Sequence, residues 1–163
     1  MVAAPRCDIA RPLSLSIDMK WVTREHPKTD RIACPWLIRK FIDPDAEIVY
    51  VPRDDVLAYA QREGATSFDA PGATYTHRDG MCSFETLIAE YKIDDPALGL
   101  MAKVVHGADV AEDSDATPQS AGLLAIADGF ALLDIDDQRQ LVLELPVYDA
   151  LYAWAQQQVT TGS

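Results

Sequence analysis

The sequence has few basic residues and few cysteines, and both shortages limit what it can do. Lysine and arginine number 14 in 163 residues, against 26 aspartates and glutamates, so the formal net charge is -12. A surface of that sign repels phosphate backbones, and we expect no direct nucleic-acid binding by this chain. The cysteines are three, Cys7, Cys34 and Cys82. Their odd number and wide spacing argue against a disulfide framework and are typical of a reducing cytoplasm.

Long apolar runs are also missing. No segment approaches the roughly 20 apolar residues that a membrane-spanning helix needs, and residues 1–18 lack the continuous apolar core of a signal peptide. We therefore expect a cytoplasmic protein without membrane contact. The length fits one domain, with 1–18 as an N-terminal extension and 19–163 as a single folded unit. Glycine-rich phosphate loops, dinucleotide fingerprints and a Ser-His-Asp spacing are absent as well.

Periodicity predicts an α+β fold. A strand at 19–23, a helix at 30–42, a strand at 47–51 and a helix at 54–63 form a parallel βαβ pattern. We expect a small, mostly parallel β-sheet with helices in the N-terminal half, followed by an all-helical C-terminal half. Further predicted elements are an edge strand at 13–17, short strands at 65–68 and 74–77, and helices from 83, from 96, over 119–133 and over 136–158. Pro146 is expected to kink or break the last helix.

One long motif identifies a family. The stretch WVTREHPKTDRIACPWLIRKFIDPDAEIVYVP, followed by FDAPG, HRDGMCSFETLI, GAD and VYDALYAW, resembles the C-terminal domain of chromate-resistance proteins of the ChrB type. The likeness covers roughly residues 21–154. Full-length regulators of this type also carry an N-terminal region that resembles a winged-helix DNA-binding module. About twenty residues precede Trp21 here, so we expect that half to be missing or supplied by a separate DNA-binding regulator.

Basic residues of the long motif are candidates for binding an oxyanion. Chromate, which the resemblance suggests, is a tetrahedral dianion, and arginine donors or a helix N-terminus suit it. Arg31 is the best single candidate because it lies beside the predicted start of a helix, and Arg24 and Lys28 are further candidates. Asp30 is expected to cap that helix or to form a structural ion pair with Arg31. Arg24 and Lys28 could equally be solvated surface charges.

A second set of residues could bind a metal ion. His106 and Asp109 are three apart on a predicted helix and share a face, while His77, Cys82 and Glu85 surround the start of the preceding helix. Imidazoles with carboxylates suit a divalent transition metal such as Zn, Mn or Fe, and Cys82 would favour Zn. Simpler readings remain open: Glu85 as a first-turn acid, His106 as a cation at a helix end, and Cys82 as a small buried residue.

Three functions follow from these features. The first is a cytoplasmic accessory or sensory domain of chromate resistance that binds a metal ion, a chromate-like oxyanion, or both. The second is a Zn, Mn or Fe metalloenzyme, a hydrolase or redox enzyme, and whether the chain is an enzyme stays open. The third is an interaction module that packs on a DNA-binding regulator through the aromatic last helix. An exposed patch of those aromatics, with Trp36, would instead indicate a homodimer.

Overall fold

The structure is a computed structural model that describes residues 19–162. The predicted extension 1–18 and its edge strand at 13–17 lie outside the described residues. Three strands and six α-helices are present in this range. In chain order they are β1 (Lys20–Arg24), α1 (Asp30–Leu37), β2 (Glu47–Val51), α2 (Val56–Glu63), β3 (Thr66–Ser67), α3 (Ser83–Glu90), α4 (Pro96–Asp109), α5 (Pro118–Ala131) and α6 (Asp137–Thr161). The predicted α+β class is confirmed.

The sheet is parallel throughout, in the order β2–β1–β3. Val22 of the central strand is opposite Val49 on one side and Ser67 on the other. Because side chains alternate along a strand, Trp21 enters the main core with Phe68, while Val22 joins a small cluster with Val56 beneath α2. The central strand is therefore covered on both faces, as parallel sheets require.

Helix α4 is the central element of the helical half. It buries Leu98, Met101 and Val105 and packs against α5 and α6. Gly107 permits the close approach to α5, because a Cβ atom there would lie 2.3 Å from Ser120 Oγ. The Ser120 hydroxyl donates to the Val104 carbonyl at 3.0 Å, so the two helices are held by a buried hydrogen bond as well as by apolar contact.

Helices α1 and α3 begin at the predicted residues 30 and 83, but the N-cap position of α1 is not at the predicted Asp30. Asp30 and Ser83 are the first helical residues of α1 and α3, and the N-cap positions belong to Thr29 and Cys82. The prediction that Asp30 caps its own helix was wrong: its carboxylate accepts from the Ser83 backbone N–H, at 2.7 Å, and so serves the start of another helix. Residues 74–77 form no strand and contribute a single bridge, between Tyr75 and Phe68.

The two prolines in helix interiors, Pro35 and Pro146, are accommodated without a break. Helix α1 continues through Pro35 and ends in a π-helical turn over Ile38–Ile42, and α6 continues through Pro146. Pro35 lacks the N–H that would pair with the Arg31 carbonyl four residues earlier. The Tyr50 hydroxyl donates to that carbonyl instead, at 2.7 Å. A side chain of β2 thus replaces a missing helix hydrogen bond. Among residues 19–162, no helix has the length and apolarity to cross a membrane.

A double-mutant cycle tests this replacement. Tyr50→Phe should lower the free energy of unfolding by about 1 kcal/mol, since it leaves a buried carbonyl without its donor. In a Pro35→Ala background the same change should cost less, because alanine supplies an N–H at position 35. Urea denaturation of the four proteins measures both costs. Equal costs in the two backgrounds would show that the hydroxyl does not replace the proline's missing donor.

Candidate metal and oxyanion site

The candidate site lies at the carboxyl ends of two neighbouring parallel strands. β1 ends at Arg24 and leads into α1, which begins at Asp30; β3 ends at Ser67, and Asp69 follows two residues later. Because parallel strands end at the same edge of a sheet, the topology brings these side chains together. The loop after Asp69 then contributes His77, and the last residue of α4 contributes Asp109.

Asp69 is fixed in place by contacts of both its main chain and its side chain. Its φ of 44° lies in the left-handed region, which aspartate tolerates better than most residues. Its carbonyl accepts from Arg24 Nε at 3.0 Å, and its nearly buried carboxylate contacts Arg31 Nη1 at 3.2 Å and accepts from Ser83 Oγ at 2.7 Å. Burial opposes ionisation, but hydrogen bonds from His77 and Ser83 and the arginine charges outweigh it and lower the pKa to about 2.

Asp30 is the most deeply buried group of the site. Its side chain is fully buried. Oδ2 accepts from the Ser83 N–H, but Oδ1 has no hydrogen-bond partner among the described residues. Burial, together with the nearby charges of Asp109 and Asp69, raises its pKa to about 7 despite the contact with His77. A buried carboxylate oxygen without a partner calls for an explanation, and an ion or another ligand that binds it is one.

His77 contacts all three aspartates with one ring nitrogen. Its Nε2 lies 2.9 Å from Asp109 Oδ2 and 3.5 Å from carboxylate oxygens of both Asp30 and Asp69. Hydrogen bonds with Asp30 and Asp69 raise the pKa of His77 to about 10, so the ring is an imidazolium at neutral pH. Burial raises the pKa of Asp109, whose carboxylate also interacts with the Asp30 backbone. The His77 side chain is 47% exposed, so part of the ring remains accessible to solvent.

These groups have the chemistry of a metal centre. Ligand atoms of Asp30, Asp69 and His77 all lie within 4.8 Å of one another, and Asp109 adjoins His77. Carboxylate oxygens with one imidazole suit Mn, Fe or Zn. A cation there would take the place of the proton on His77 Nε2.

The predicted metal-binding residues divide between two places. His77 and Asp109 join the site above, whereas Cys82, Glu85 and His106 form a second group whose ligand atoms also lie within 4.8 Å of one another. In that group His106 Nδ1 lies 2.6 Å from Glu85 Oε2. Burial raises the pKa of the Cys82 thiol. Among residues 19–162, His77 and His106 belong to different groups of potential metal ligands. They are separate even though Asp109, which contacts His77, lies on the same helix as His106.

The predicted oxyanion residues also separate. Arg24 lines a cleft of about 260 Å³ together with Arg53, His77 and the carboxylate-bearing Asp69. Arg31 is not among the cleft residues, because its guanidinium is engaged by Asp69 and by the His26 carbonyl, at 2.8 Å. It forms a structural ion pair, with Asp69 rather than with the predicted partner Asp30. Lys28 is a surface residue paired with Asp128.

The sequence reasoning missed several participants. Asp69 and Arg53 were not among the predicted site residues, and Asp30 was expected to be a helix cap or the partner of Arg31. A signal for Asp69 was available: it follows a short strand of a predicted parallel sheet, where polar residues meet at the carboxyl edge. Arg53 carried no comparable signal, since its place depends on how the turn after β2 folds over the cleft.

Fold and site together belong to a recognised class of domain. Residues 21–155 match the family described as ChrB, C-terminal domain, and the chain belongs to that family. A similar protein is the Protein ChrB of Cupriavidus metallidurans strain CH34, 41% identical over 92 residues, which are 56% of this chain. The matched segment spans 27% of the length of that relative. No solved structure matches the chain.

The protonation of His77 can be tested by NMR. At pH 8 its imidazole signals should be those of the protonated ring, whereas an unperturbed histidine is neutral there. Asp30→Asn should lower the pKa of His77, because Asp30 provides the largest stabilisation of the imidazolium. Asp128→Asn removes the same charge from a surface pair and should leave it unchanged. His77→Gln assigns the signals.

The raised pKa of His77 also predicts that the stability of the protein depends on pH. A histidine whose folded pKa exceeds its unfolded value of about 6.5 stabilises the fold fully below that pH and loses this effect as pH rises through about 10. The difference in unfolding free energy between wild type and His77→Gln should therefore shrink from pH 7 to pH 10. A constant difference would show that the ring contributes packing and not charge.

Proposed function

We propose that this chain is a cytoplasmic accessory or sensory domain of chromate resistance that binds a chromate-like oxyanion in the cleft of Arg24, Arg53 and His77. Family membership supports the broader role in chromate resistance. The observation that carries the finer proposal is the position of His77. Its side chain is 47% exposed and lines the cleft, while contacts with three carboxylates keep it positively charged.

The charges around the cleft favour a small dianion. The pKa of Arg24 is lowered by burial and by the like charges of Arg31 and Arg53. The opposite charge of Asp69 raises it, but not enough to cancel the lowering. Arg53 is exposed and forms no ion pair with another described residue. An anion between the two guanidinium groups and the imidazolium would relieve their mutual repulsion and accept hydrogen bonds from all three. Arg24 is fixed in place for this role by the Asp69 carbonyl.

The carboxylates below the cleft support a metal ion as a second element of the proposal. Asp30, Asp69 and Asp109 would provide oxygen ligands and His77, then neutral, a nitrogen ligand. The metal ion would then replace the imidazolium as the positive charge beside the arginines. The exposed side of such an ion would lie near the arginines, so that an oxyanion could complete its coordination. This arrangement also supports the metalloenzyme alternative, because a catalytic metal keeps one position open for substrate or water.

The interaction-module alternative receives less support from the aromatic residues of α6. Tyr148 is buried, and Tyr152 packs against Trp36 and Phe41, so neither offers a free surface. Apolar side chains that are exposed instead are found on α5, on α6 and between them: Ile126, Leu132, Leu133, Val142 and Leu143. A separate regulator or a second copy of the chain would find most of the exposed large apolar side chains of residues 19–162 at these positions.

Calorimetric titration tests the oxyanion proposal. Chromate should bind to the wild-type protein, and Arg24→Gln and Arg53→Gln should each weaken binding about 10- to 100-fold, the usual effect of losing one charged hydrogen bond. Lys28→Gln removes a positive charge outside the cleft and serves as the matched control. Sulfate, of the same charge and shape, measures selectivity. Weak and equal responses to chromate and sulfate, or arginine variants that bind as wild type does, would refute a specific sensor.

Elemental analysis tests the metal. Protein produced in medium supplemented with Mn, Fe and Zn should contain a divalent ion that Asp109→Asn and Asp30→Asn lose and Asp128→Asn keeps. Turnover of model phosphate or carboxylate esters by the loaded protein would favour the metalloenzyme. Chromate binding without any metal at this centre would leave the cleft as the receptor and exclude the metal from the mechanism.

A further inference from the structure

We propose that Cys82, Glu85 and His106 form a second, separate metal site, one that selects Zn²⁺ through a cysteine thiolate. This site shares no ligand with the cluster around His77. Its ligand types differ as well, since sulfur and nitrogen are softer donors than the carboxylates of the first site. The proposal therefore does not depend on the oxyanion function.

Two helices place the three ligands. Cys82 is the N-cap of α3, and Glu85 is three residues later on the same side of the first turn. The Cys82 N–H donates to Glu85 Oε2 at 2.9 Å, which directs the carboxylate back towards the cysteine. His106, in the last turn of α4, faces them with Nδ1 at 2.6 Å from the same oxygen. The three ligand atoms lie within 4.8 Å of one another.

Those separations suit a four-coordinate ion. With Zn–ligand bonds of about 2.0–2.3 Å, the ligand atoms of a tetrahedral site are roughly 3.5 Å apart. The Glu85–His106 contact is shorter than that, so the ion would enter by separating these two side chains slightly. Both are partly exposed, with 25% and 14% of the side chains accessible, which gives the ion a route from solvent. Three protein ligands leave a fourth position for water.

Asp113 supplies the outer partner that zinc histidines usually have. Its Oδ2 lies 2.7 Å from His106 Nε2, on the opposite edge of the ring from Glu85. A carboxylate in that position fixes the tautomer with the proton on Nε2 and leaves Nδ1 free for the metal. The same geometry could be a structural triad in which a protonated His106 bridges two acids. That alternative makes no use of the buried Cys82 sulfur and predicts no metal.

Cobalt(II) is the probe that separates the two interpretations. When apo full-length protein is titrated with Co²⁺, a thiolate-to-metal charge-transfer band should appear in the near ultraviolet and saturate at one equivalent, and Zn²⁺ should abolish it. Cys82→Ser and His106→Gln should each eliminate the band. Asp113→Asn should keep it but weaken Zn²⁺ binding about 10- to 100-fold, the usual effect of losing an outer partner.

The controls distinguish this site from the other thiols and from the first site. Cys34→Ser and Cys7→Ser should retain the band, and so should His77→Gln, even if the metal of the first site is lost. Circular dichroism establishes that each variant is folded. The absence of a band in wild-type protein, or its persistence in folded Cys82→Ser, would overturn the proposal and leave His106 as the centre of an ionic triad.

Discussion

Buried negative charge is the constraint on which the N-terminal half depends. Asp30 and Asp69 lie inside the protein at the ends of β1 and β3, where an unpaired carboxylate costs several kcal/mol. Arg31 and Ser83 offset that cost for Asp69, and the Ser83 N–H does so for Asp30. The half-exposed His77 contacts the carboxylates of both aspartates through Nε2. The same contacts join the sheet edge, α1, the loop at 70–82 and α3, so the site and the tertiary structure are stabilised by one network.

The two candidate sites are separate in their ligands but share their supports. Ser83 contacts both buried aspartates of the first site, and its neighbour Cys82 belongs to the second. Near the end of α4, Asp109 contacts His77 and His106 contacts Glu85. A displacement of residues 82–83 or of the last turn of α4 therefore changes both clusters. Such shared rigid elements are the physical means by which binding at one place alters another.

Local patterns in the sequence predicted the elements well, and their mutual positions less well. The short β-branched strand at 47–51 and the start of a helix at Pro96 follow from residue chemistry, and both are present. Spacing also placed His106 and Asp109 on one helix. It could not show what lies opposite each of them, because that depends on how α4 packs against the loop and α3. The tolerance of Pro35 likewise depends on Tyr50, a residue of a different element.

The cationic cleft lies in a protein whose net charge is -12, and this contrast limits what can bind there. Charges are screened over about 8 Å at physiological ionic strength, so an ion inside the cleft experiences chiefly the groups that line it, which are Arg24, Arg53 and His77 together with the carboxylate of Asp69. A polyanion such as DNA extends far beyond that distance and meets the acidic remainder of the surface. In a cleft of about 260 Å³, the lining arginines and His77 would attract a small anion, whereas the acidic surface outside the cleft would repel a polyanion. If the cleft binds an oxyanion as proposed, its size would exclude polyanions before any particular hydrogen bond distinguishes between small dianions.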